Sequence, residues 1–328
     1  MKAITYTKYG PPEVLQLKEV NKPVPKDNEV LLKVIAASAN PADWHMIRGE
    51  PKFARLAFGL FKPKNVIPGI DIAGQVEGVG RNVNEFRPGD EVFGDCGWGG
   101  AFAEYVFVTE NRLVPKPANI SFEEAATIFV AGITALQGLR DKGKIQSGQK
   151  VLINGASGGV GTFAVQLAKY FGAEVTGVCS TRNLDLVRSI GADNVIDYTK
   201  EDFTNTSQKY DLIIDNVAKR SAVNLKRALS PNGICVIVGF SSLSRMFQHM
   251  FLGPLISMTG NKKIGGLGAA KSNKKDLLLL KDLLEAGKIK PVIDRSYQLS
   301  EVPDAIRYLE TGHARGKVVI TIGQKSNG

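Results

Sequence analysis

The chain has 328 residues, of which 43% are hydrophobic and 23% are charged. This length and balance are typical of a globular protein with two packed domains, and they exclude a disordered or fibrous protein. No stretch approaches the ~20 consecutive apolar residues of a membrane-spanning helix, and the amino-terminal residues lack the apolar core of a secretory signal, so we expect a cytoplasmic protein with no integral membrane segment.

The net charge of +10 comes from 42 basic and 32 acidic residues. Residues 262–290 contribute strongly to it, with eight lysines against Asp276, Asp282 and Glu285. These lysines bracket a leucine-rich helical pattern, which is typical of an amphipathic helix with a solvated, charged face. A polyanion site is the alternative, but the solvated face is favoured, and we expect no nucleic-acid partner.

The first 123 residues contain short apolar runs separated by turn-forming residues. Strand patterns occur at 29–35, 72–80 and 91–94, and Pro88-Gly89-Asp90 is a turn signal before the third of them. Glycine and proline are dense here, and long helical periods are absent. This part of the chain therefore predicts a small β-rich, barrel-like domain.

From about residue 124 to residue 265, apolar strands alternate with helical segments. A capping-box pattern of Ser121 and Glu124 opens a helix that is expected to continue to Leu136. This alternation predicts a doubly wound parallel sheet that is covered on both faces. The expected strands lie at 150–154, 174–179, 195–197, 212–215 and 234–238, and the expected helices at 162–170 and 184–190.

The remaining residues, 266–328, are expected to return to the first domain. They contain a helix pattern capped by Asn273, a second helix pattern that ends near Gly312, and a last strand at 317–322. No internal repeat is present. The return segment is therefore expected to complete the β-rich domain.

A glycine-rich turn follows the first strand of the predicted parallel sheet. The strand ends at Asn154, and a helix begins a few residues later. Gly158 would let the backbone approach a pyrophosphate, and Gly161 would let the helix pack tightly on the strand. The helix start offers free N–H groups and a positive dipole end to the phosphates. In this context the pattern predicts a dinucleotide site rather than a turn that serves only chain reversal. Its residues are Ala156, Ser157, Gly158, Gly159, Val160 and Gly161.

The residues after the second strand indicate which dinucleotide is bound. An NAD site usually has a carboxylate there, but this sequence reads Ser180-Thr181-Arg182-Asn183, with no acid before Asp185. Ser180 and Thr181 can donate hydrogen bonds to a 2′-phosphate, and Arg182 can pair with it. The cofactor is therefore predicted to be NADPH rather than NADH. An exposed loop cation is the alternative role of Arg182.

Five stretches of the sequence together resemble one protein family. They lie at 38–44, 68–74, 131–136, 154–161 and 312–317. In order and content they resemble the zinc-free quinone oxidoreductase branch of the medium-chain dehydrogenase/reductase superfamily, including chloroplast-envelope quinone oxidoreductase homologues and reticulon-interacting reductases. The resemblance covers nearly the whole chain. It implies an α/β fold in which a β-rich GroES-like barrel domain (1–123, completed by 266–328) accompanies a doubly wound Rossmann domain (124–265).

The resemblance also implies that the chain binds no metal. Zinc-dependent relatives have a cysteine where Asn40 stands and a histidine where Ile70 stands, and neither residue can replace that ligand. The four-cysteine lobe of a structural zinc site is missing too, because only Cys96 lies in that region.

Without a Lewis acid, oxidising an unactivated alcohol is hard, because nothing stabilises the developing alkoxide. A quinone, enone or enal is already electrophilic, and accepting hydride at carbon turns it into an anion that resonance stabilises. We therefore expect an NADPH-dependent reductase of small apolar electrophiles. A non-catalytic NADPH-binding sensor or scaffold on the same fold is the alternative.

Three residues are the expected catalytic groups. Asn40 would donate its amide to the substrate oxygen, Asp43 would orient that amide or a water, and Thr134, by resemblance, would lie near the nicotinamide. A turn that caps a short helix is the alternative explanation of the Asn40–Asp43 pair. The expected cofactor residues are completed by Tyr198, Gly239 and Lys317.

An apolar segment from Phe240 to Lys263 follows the Gly239 turn. Its methionines, phenylalanines and leucines fit a substrate wall and a dimer contact. A buried core segment and a membrane contact are the alternatives. We favour the substrate wall and the dimer contact, and we expect a homodimer.

Overall fold

The computed structural model describes residues 1–323. Its strands, in chain order, are β1 (Lys2–Thr5), β2 (Gln16–Glu19), β3 (Glu29–Ala39), β4 (Asp71–Val79), β5 (Glu91–Asp95), β6 (Tyr105–Thr109), β7 (Leu113–Pro115), β8 (Lys150–Asn154), β9 (Glu174–Cys179), β10 (Asn194–Asp197), β11 (Tyr210–Asp215), β12 (Leu229–Ile237), β13 (Lys263–Gly266), β14 (Ile293–Gln298) and β15 (Lys317–Thr321).

The α-helices, in chain order, are α1 (Pro41–Arg48), α2 (Arg55–Phe58), α3 (Phe122–Ala125), α4 (Ile128–Gln137), α5 (Gly159–Tyr170), α6 (Leu184–Ser189), α7 (Ala222–Ala228), α8 (Leu243–Met258), α9 (Lys274–Glu285) and α10 (Val302–Glu310). Among the described residues, no helix is both long enough and apolar enough to cross a bilayer.

The chain divides into two compact units. The first unit contains residues 1–130, residues 272–287 and the chain from Pro291 onward, and the second contains residues 131–271 and 288–290. The boundaries expected from the sequence, at 123 and 265, remain predictions of where the domains end.

The first unit is built on an antiparallel sheet with the strand order β14-β15-β3-β4-β5-β7, in which β6 also pairs with β3 and only β14 and β15 run parallel. Two register shifts between β3 and β4 bend the sheet, as β-bulges do. The register pairs Ser38 of β3 with Asp71 of β4, and Ala39 with Val318 of β15. The β-rich domain predicted from the sequence is confirmed, and this register brings Lys317 beside the end of β3.

The second unit is built on a parallel sheet with the strand order β10-β9-β8-β11-β12-β13. The chain reverses its direction of winding between β8 and β11, which is the arrangement that creates a ligand crevice at the carboxyl ends of the strands. The central residues of these strands, 151–153 in β8 and 212–214 in β11, are fully buried and apolar, as a sheet covered on both faces requires. The doubly wound fold predicted from the sequence is confirmed.

The prediction of one continuous helix from Ser121 to Leu136 is wrong. The structure has two helices, α3 and α4, in its place. The predicted cap is correct, since Ser121 Oγ accepts the Glu124 N–H at 3.1 Å. Between the helices, the Thr127 hydroxyl donates to the Glu124 carbonyl at 2.7 Å. That bond occupies an acceptor that a continuous helix would use for its own ladder.

Two further elements differ from the expectation. Helix α5 begins at Gly159, three residues earlier than predicted, so the last glycines of the turn belong to its first turn. The apolar segment after Gly239 forms α8, a helix of 16 residues with Pro254 inside it.

Candidate functional site

The glycine-rich turn of the second unit connects β8 directly to α5. Gly155 adopts a φ of +76°, a left-handed conformation that favours glycine. A Cβ on Gly161 would lie 2.1 Å from the Gly155 carbonyl oxygen, so only glycine allows the helix to approach the turn this closely. The N–H groups of Gly159, Val160 and Gly161 belong to the first turn of the helix, where no earlier carbonyl is available to accept them. The turn therefore presents an anion-binding site.

The same turn is fastened to the neighbouring strand β9. The Gly155 and Ala156 N–H groups donate to the Val178 carbonyl at 3.1 and 3.0 Å. Asn183, which the sequence reasoning missed, donates its side-chain N–H to Ser157 Oγ at 2.9 Å. A Cβ on Gly158, by contrast, would have no neighbour closer than 3.5 Å, so this side of the turn is open. The predicted residues thus form one turn with a free backbone face, and their contact with a cofactor stays a prediction.

The residues after β9 form the second part of the predicted cofactor site. Tyr198 lies beside them, because its N–H donates to the Cys179 carbonyl at 3.0 Å. Ser180 Oγ accepts a hydrogen bond from the Asn183 side chain at 3.2 Å. Arg182 lies in the short helical turn that begins at Thr181. The structure therefore brings Ser180, Arg182 and Tyr198 together at the end of β9.

Thr181 is already engaged, which the sequence could not show. Its hydroxyl donates to the Asp197 carboxylate at the end of β10. Hydrogen bonds from Thr181 and Thr199 hold the pKa of Asp197 below its usual range. The loop before Asp185 contains no acid, but the adjacent strand β10 supplies the carboxylate of Asp197. A cation such as Arg182 is therefore the group best suited to a 2′-phosphate here.

The carboxyl ends of β8, β11 and β12 meet at the winding reversal of the sheet. Asn154 donates to Asp215 Oδ1 at 2.7 Å, and Asn216 donates its side-chain N–H to the Asn154 carbonyl at 3.0 Å. A Cβ on Gly239 would lie 2.4 Å from the Asn216 carbonyl oxygen, so Gly239 permits a close approach of the two strand ends. This edge is the third part of the predicted cofactor site.

Two buried side-chain carbonyl oxygens at this edge indicate whether the site suits a dinucleotide. Within residues 1–323, Asn183 Oδ1 and Asn216 Oδ1 are buried and accept no hydrogen bond. Buried acceptors are normally paired, so these two can accept hydrogen bonds from a ligand's hydroxyl or amide groups. Together with the open face at Gly158, they fit a dinucleotide.

The polar residues of the first unit form a second site, which we call the Asn40 cluster: Ser38, Asn40, Asp43, Asp71 and Lys317. All five side chains are buried. Lys317 donates its ammonium to Asn40 Oδ1 and, at 3.0 Å, to Asp71 Oδ2. Asp71 Oδ2 also accepts the Ser38 hydroxyl at 2.6 Å and the Asn40 amide at 3.1 Å. Asp71 and Ser38 are members of this site that sequence reasoning missed. Their only signal was a pair of polar residues inside two apolar strands.

Asp43 holds the amino-terminal end of α1 in place. Its Oδ2 accepts the Asn40 backbone N–H at 2.8 Å and the Asn40 amide at 3.3 Å. Its other oxygen, Oδ1, is buried and accepts no hydrogen bond within the described part of the chain. Burial, reinforced by the negative charge of Asp71, raises the pKa of Asp43 to about 7. Asp43 can therefore hold a proton near neutral pH.

The Asn40 side chain is bound by protein groups on both sides. Its amide contacts Asp71 at 3.1 Å, and at 3.3 Å both Asp43 and the Ser38 carbonyl, while its Oδ1 accepts Lys317. The capping alternative therefore describes Asp43, which accepts the Asn40 backbone N–H, better than it describes the Asn40 side chain. Lys317 was expected at the cofactor, and the structure places its ammonium in the Asn40 cluster; its part in cofactor binding stays a prediction.

The remaining predictions concern Thr134 and the absence of a metal site. Thr134 is buried in α4. Within residues 1–323, no group of three or more His, Cys, Asp or Glu side chains is arranged to hold a metal ion. Ile70, which stands where zinc-dependent relatives have a histidine, is buried beside Asp71.

Comparison with known proteins identifies the family. Residues 26–118 match the family model described as the alcohol dehydrogenase GroES-like domain, and residues 190–320 match the one described as zinc-binding dehydrogenase. The chain is 38% identical to tomato 2-methylene-furan-3-one reductase, over 98% of this chain and 79% of that protein. It is 36% identical to the chloroplastic NADPH-dependent alkenal/one oxidoreductase of Arabidopsis thaliana, with the same coverage.

Solved structures agree with these relatives. The quinone oxidoreductase of Coxiella burnetii superimposes with a TM-score of 0.88 at 34% identity, covering 98% of this chain and 99% of that one. The quinone oxidoreductase of Escherichia coli, solved with NADPH, superimposes with a TM-score of 0.82 at 25% identity, covering 98% and 100% of the two chains.

The relatives also correct the expectation of a cytoplasmic protein. Besides the chloroplastic Arabidopsis enzyme, they include the mitochondrial NAD(P)H oxidoreductase RTN4IP1 of Mus musculus, which is 33% identical over 98% of this chain and 89% of that protein. These organellar relatives contradict the cytoplasmic assignment, which rested only on the lack of an apolar signal core. Transit peptides have no such core, so that argument could not exclude an organelle.

The matched family models, the full-length relatives and the superimposed structures lead to one conclusion. This chain belongs to the quinone oxidoreductase branch of the medium-chain dehydrogenase/reductase superfamily.

Proposed function

We propose that this chain is an NADPH-dependent oxidoreductase that reduces quinones or α,β-unsaturated carbonyl compounds. The observation that carries the proposal is the open glycine-rich turn at the winding reversal of the parallel sheet, in a chain whose full-length relatives are named as NADPH-dependent reductases of such compounds. A non-catalytic NADPH-binding protein has no comparable support, because these relatives are enzymes by name.

The second unit binds and orients the cofactor in this proposal. The N–H groups at the start of α5 bind the pyrophosphate, Arg182 pairs with the 2′-phosphate, and Tyr198 and Gly239 border the site. Thr134 is proposed, by family resemblance, to lie near the nicotinamide. When bound, NADPH supplies the hydride, so the protein's task is orientation and the stabilisation of negative charge.

The first unit stabilises the anion that forms when the acceptor takes a hydride. Asn40 is the proposed donor to the substrate oxygen. Its amide nitrogen lies 3.1 Å from Asp71 Oδ2 and 3.3 Å from both Asp43 Oδ2 and the Ser38 carbonyl oxygen, so two hydrogens are shared among three acceptors. Hydrogen bonds at that length are weak. The two contacts of 3.3 Å are therefore the ones that a substrate oxygen can replace at low cost.

Lys317 and Asp71 act as positioning residues in this proposal. They fix the amide plane of Asn40 by binding its oxygen and one of its hydrogens, respectively. Asp71 balances the charge of the Lys317 ammonium within the cluster, so the Asn40 amide acts as a neutral hydrogen-bond donor. In zinc-dependent relatives a cysteine occupies position 40, so the zinc-free character proposed for this chain follows from the chemistry of Asn40 and Ile70.

The decisive experiment measures NADPH oxidation by the purified protein with 1,4-quinones, enones and enals as acceptors. Turnover of at least one class is expected, and it should persist after treatment with a chelator. If NADPH binds but no acceptor is turned over, the enzymatic proposal is wrong. One tightly bound zinc per chain would contradict the zinc-free proposal. We also propose the homodimer expected from the sequence, and light scattering on the same sample tests it.

Two variants test the role of Asn40. An oxyanion donor is typically worth about 2.7–4 kcal/mol, so Asn40→Ala should lower kcat by at least about tenfold with little change in KM. Asn40→Asp should be worse, because a carboxylate opposes the developing anion. Full activity in the Asp variant would remove Asn40 from the catalytic residues. If the Ala variant loses activity and its unfolding midpoint also falls, the role of Asn40 is structural.

A further inference from the structure

Helix α8 is apolar on two opposite faces, but only one of them is covered. The buried face is formed by His249 and Gly253, with Leu252 and Ile256 packed against the core of the second unit. At 100° per residue, the exposed apolar side chains fall on a single stripe on the far side. That stripe, which we call the α8 stripe, consists of Leu243, Phe247, Met250, Phe251, Leu255 and Met258.

The α8 stripe is solvent-exposed in the described structure. Phe251 is 64% exposed and Met258 is 82% exposed, and the other four members are each at least 42% exposed. A helix that is apolar all round is normally buried in a core or in a membrane, and contiguous exposed apolar patches usually mark an interaction surface. The stripe therefore needs a partner.

The charges around α8 indicate what kind of partner fits. From Asn216 to Lys275 the sequence contains no aspartate or glutamate, although acids are 32 of its 328 residues. Within the second unit this stretch carries only basic charges. They are Lys219, Arg220, Lys226, Arg227, Arg245, Lys262, Lys263 and Lys271. Arg220 pairs with Asp202 at 3.0 Å, so the positive charge offered to a partner comes from the other residues of this set.

Two exposed lysines lie close to the ends of α8. Lys219 follows Ala218, whose carbonyl accepts the Ser241 hydroxyl at 3.1 Å just before the helix begins. Lys263 begins β13, the strand that follows α8 in the chain. Both side chains are exposed. The apolar stripe is thus bracketed by cations.

We propose that the α8 stripe docks this protein onto an anionic lipid surface. The phenylalanine, leucine and methionine side chains enter the boundary between headgroups and acyl chains, and the surrounding lysines and arginines bind the anionic headgroups. The helix lies on the bilayer and does not cross it. This differs from the substrate wall and dimer contact that the sequence pattern favours.

The alternative occupants fit the charges less well. A second copy bound through the same face would place two all-basic segments against each other, because a two-fold interface brings the same patch of both subunits together. A substrate wall belongs to a concave site that covers most of its ligand, whereas Met258 is 82% exposed. The lipid surface is the partner that satisfies both the apolar stripe and the charge.

Co-sedimentation of the full-length protein with vesicles tests the proposal. We expect binding to vesicles of phosphatidylcholine with phosphatidylglycerol, and at least roughly tenfold weaker binding to phosphatidylcholine alone or at high salt. The variant Phe247→Ser/Phe251→Ser should weaken binding by roughly tenfold or more. The variant Lys219→Gln/Lys263→Gln should reduce mainly the part of the binding that depends on anionic lipid.

Matched controls separate this surface from others. Phe107, on β6, is 45% exposed, which is close to the 42% of Phe247, so Phe107→Ser removes a similar exposed ring elsewhere. It should bind vesicles like the parent protein, and circular dichroism should show that all variants are folded. The proposal is overturned if the protein ignores anionic vesicles or if the α8 variants bind unchanged. It is also overturned if those variants halve the molecular mass in solution, because a second copy then covers the stripe.

Discussion

The glycine-rich turn of the second unit and the Asn40 cluster of the first unit are built in opposite ways. The turn is a continuous run of seven residues, from Gly155 to Gly161, and backbone geometry gives it its function. The Asn40 cluster joins side chains as far apart as Asn40 and Lys317, which are separated by 277 positions. The turn depends on glycines that lack a Cβ, whereas the Asn40 cluster depends on buried charges that pair with each other. They should therefore respond to mutation differently.

The largest effect is expected at Lys317. Lys317→Met leaves Asp71 without its buried cation, which should lower the free energy of unfolding by about 3–5 kcal/mol. Adding Asp71→Asn removes the stranded charge and should restore much of the loss. The exposed pair of Lys22 and Glu77, joined at 2.6 Å, is the matched control, since Lys22→Met should cost less than about 1 kcal/mol. Urea unfolding of the parent protein and these variants measures the values, and equal losses at Lys317 and Lys22 would contradict a buried pair.

The pH dependence of stability should isolate Asp43. Its pKa in the folded protein is about 7, above its value of 3.8 in an unfolded chain. The folded state therefore binds this proton more tightly, and the resulting stability is full below about pH 4 and is lost as the pH rises through about 7. The difference is at most about 4 kcal/mol.

Asp43→Asn mimics the protonated carboxyl group and should not lose this stability. Its free energy of unfolding, relative to that of the parent protein, should rise between about pH 4 and about pH 7. Urea unfolding at a series of pH values measures the difference between the two curves. Parallel curves would show that Asp43 is ionised throughout.

In the turn, two glycines only three residues apart should behave differently. Gly161→Ala places a Cβ 2.1 Å from the Gly155 carbonyl oxygen and should cost about 1–3 kcal/mol of stability. Gly158→Ala meets no atom closer than 3.5 Å, so its stability should change by less than about 0.5 kcal/mol. Its methyl group would instead occupy the open face and weaken NADPH binding. Thermal unfolding measures the loss of stability, and titration with NADPH measures the loss of cofactor affinity. If Gly158→Ala is stable and binds NADPH normally, the pyrophosphate does not bind at this face of the turn.

The effect expected at Arg182 is on cofactor affinity and not on stability. A charge-assisted hydrogen bond to a phosphate contributes about 1.5–3 kcal/mol, so Arg182→Ala should raise the KM for NADPH roughly tenfold to a hundredfold. The KM for NADH should hardly change. Arg188, which pairs with Asp185 at 3.1 Å on the exposed face of α6, is the control, and Arg188→Ala should affect neither cofactor. Equal effects of Arg182→Ala on both cofactors would make its role structural.

The sequence by itself determined the parts of this protein whose information is local. The parallel strands could be predicted because a strand buried on both faces must be apolar along its whole length. The turn could be predicted because a helix that packs this closely on a strand admits only glycine at Gly161. The identities of Asn40 and Ile70 likewise argue against zinc ligation through side-chain chemistry alone, since neither residue type is a ligand that zinc accepts.

Only the tertiary structure decided how distant polar residues combine. The register of β3 with β4 and β15 brings Asp71 and Lys317 to Asn40, and no periodicity in the sequence encodes that register. In the same way, the pairing of β9 with β10 brings Asp197 to Thr181, a residue predicted to serve the cofactor. Hydrogen bonds between side chains depend on which strands become neighbours. That choice is made by the packing of the whole chain, so a local pattern can name candidates but cannot assign their partners.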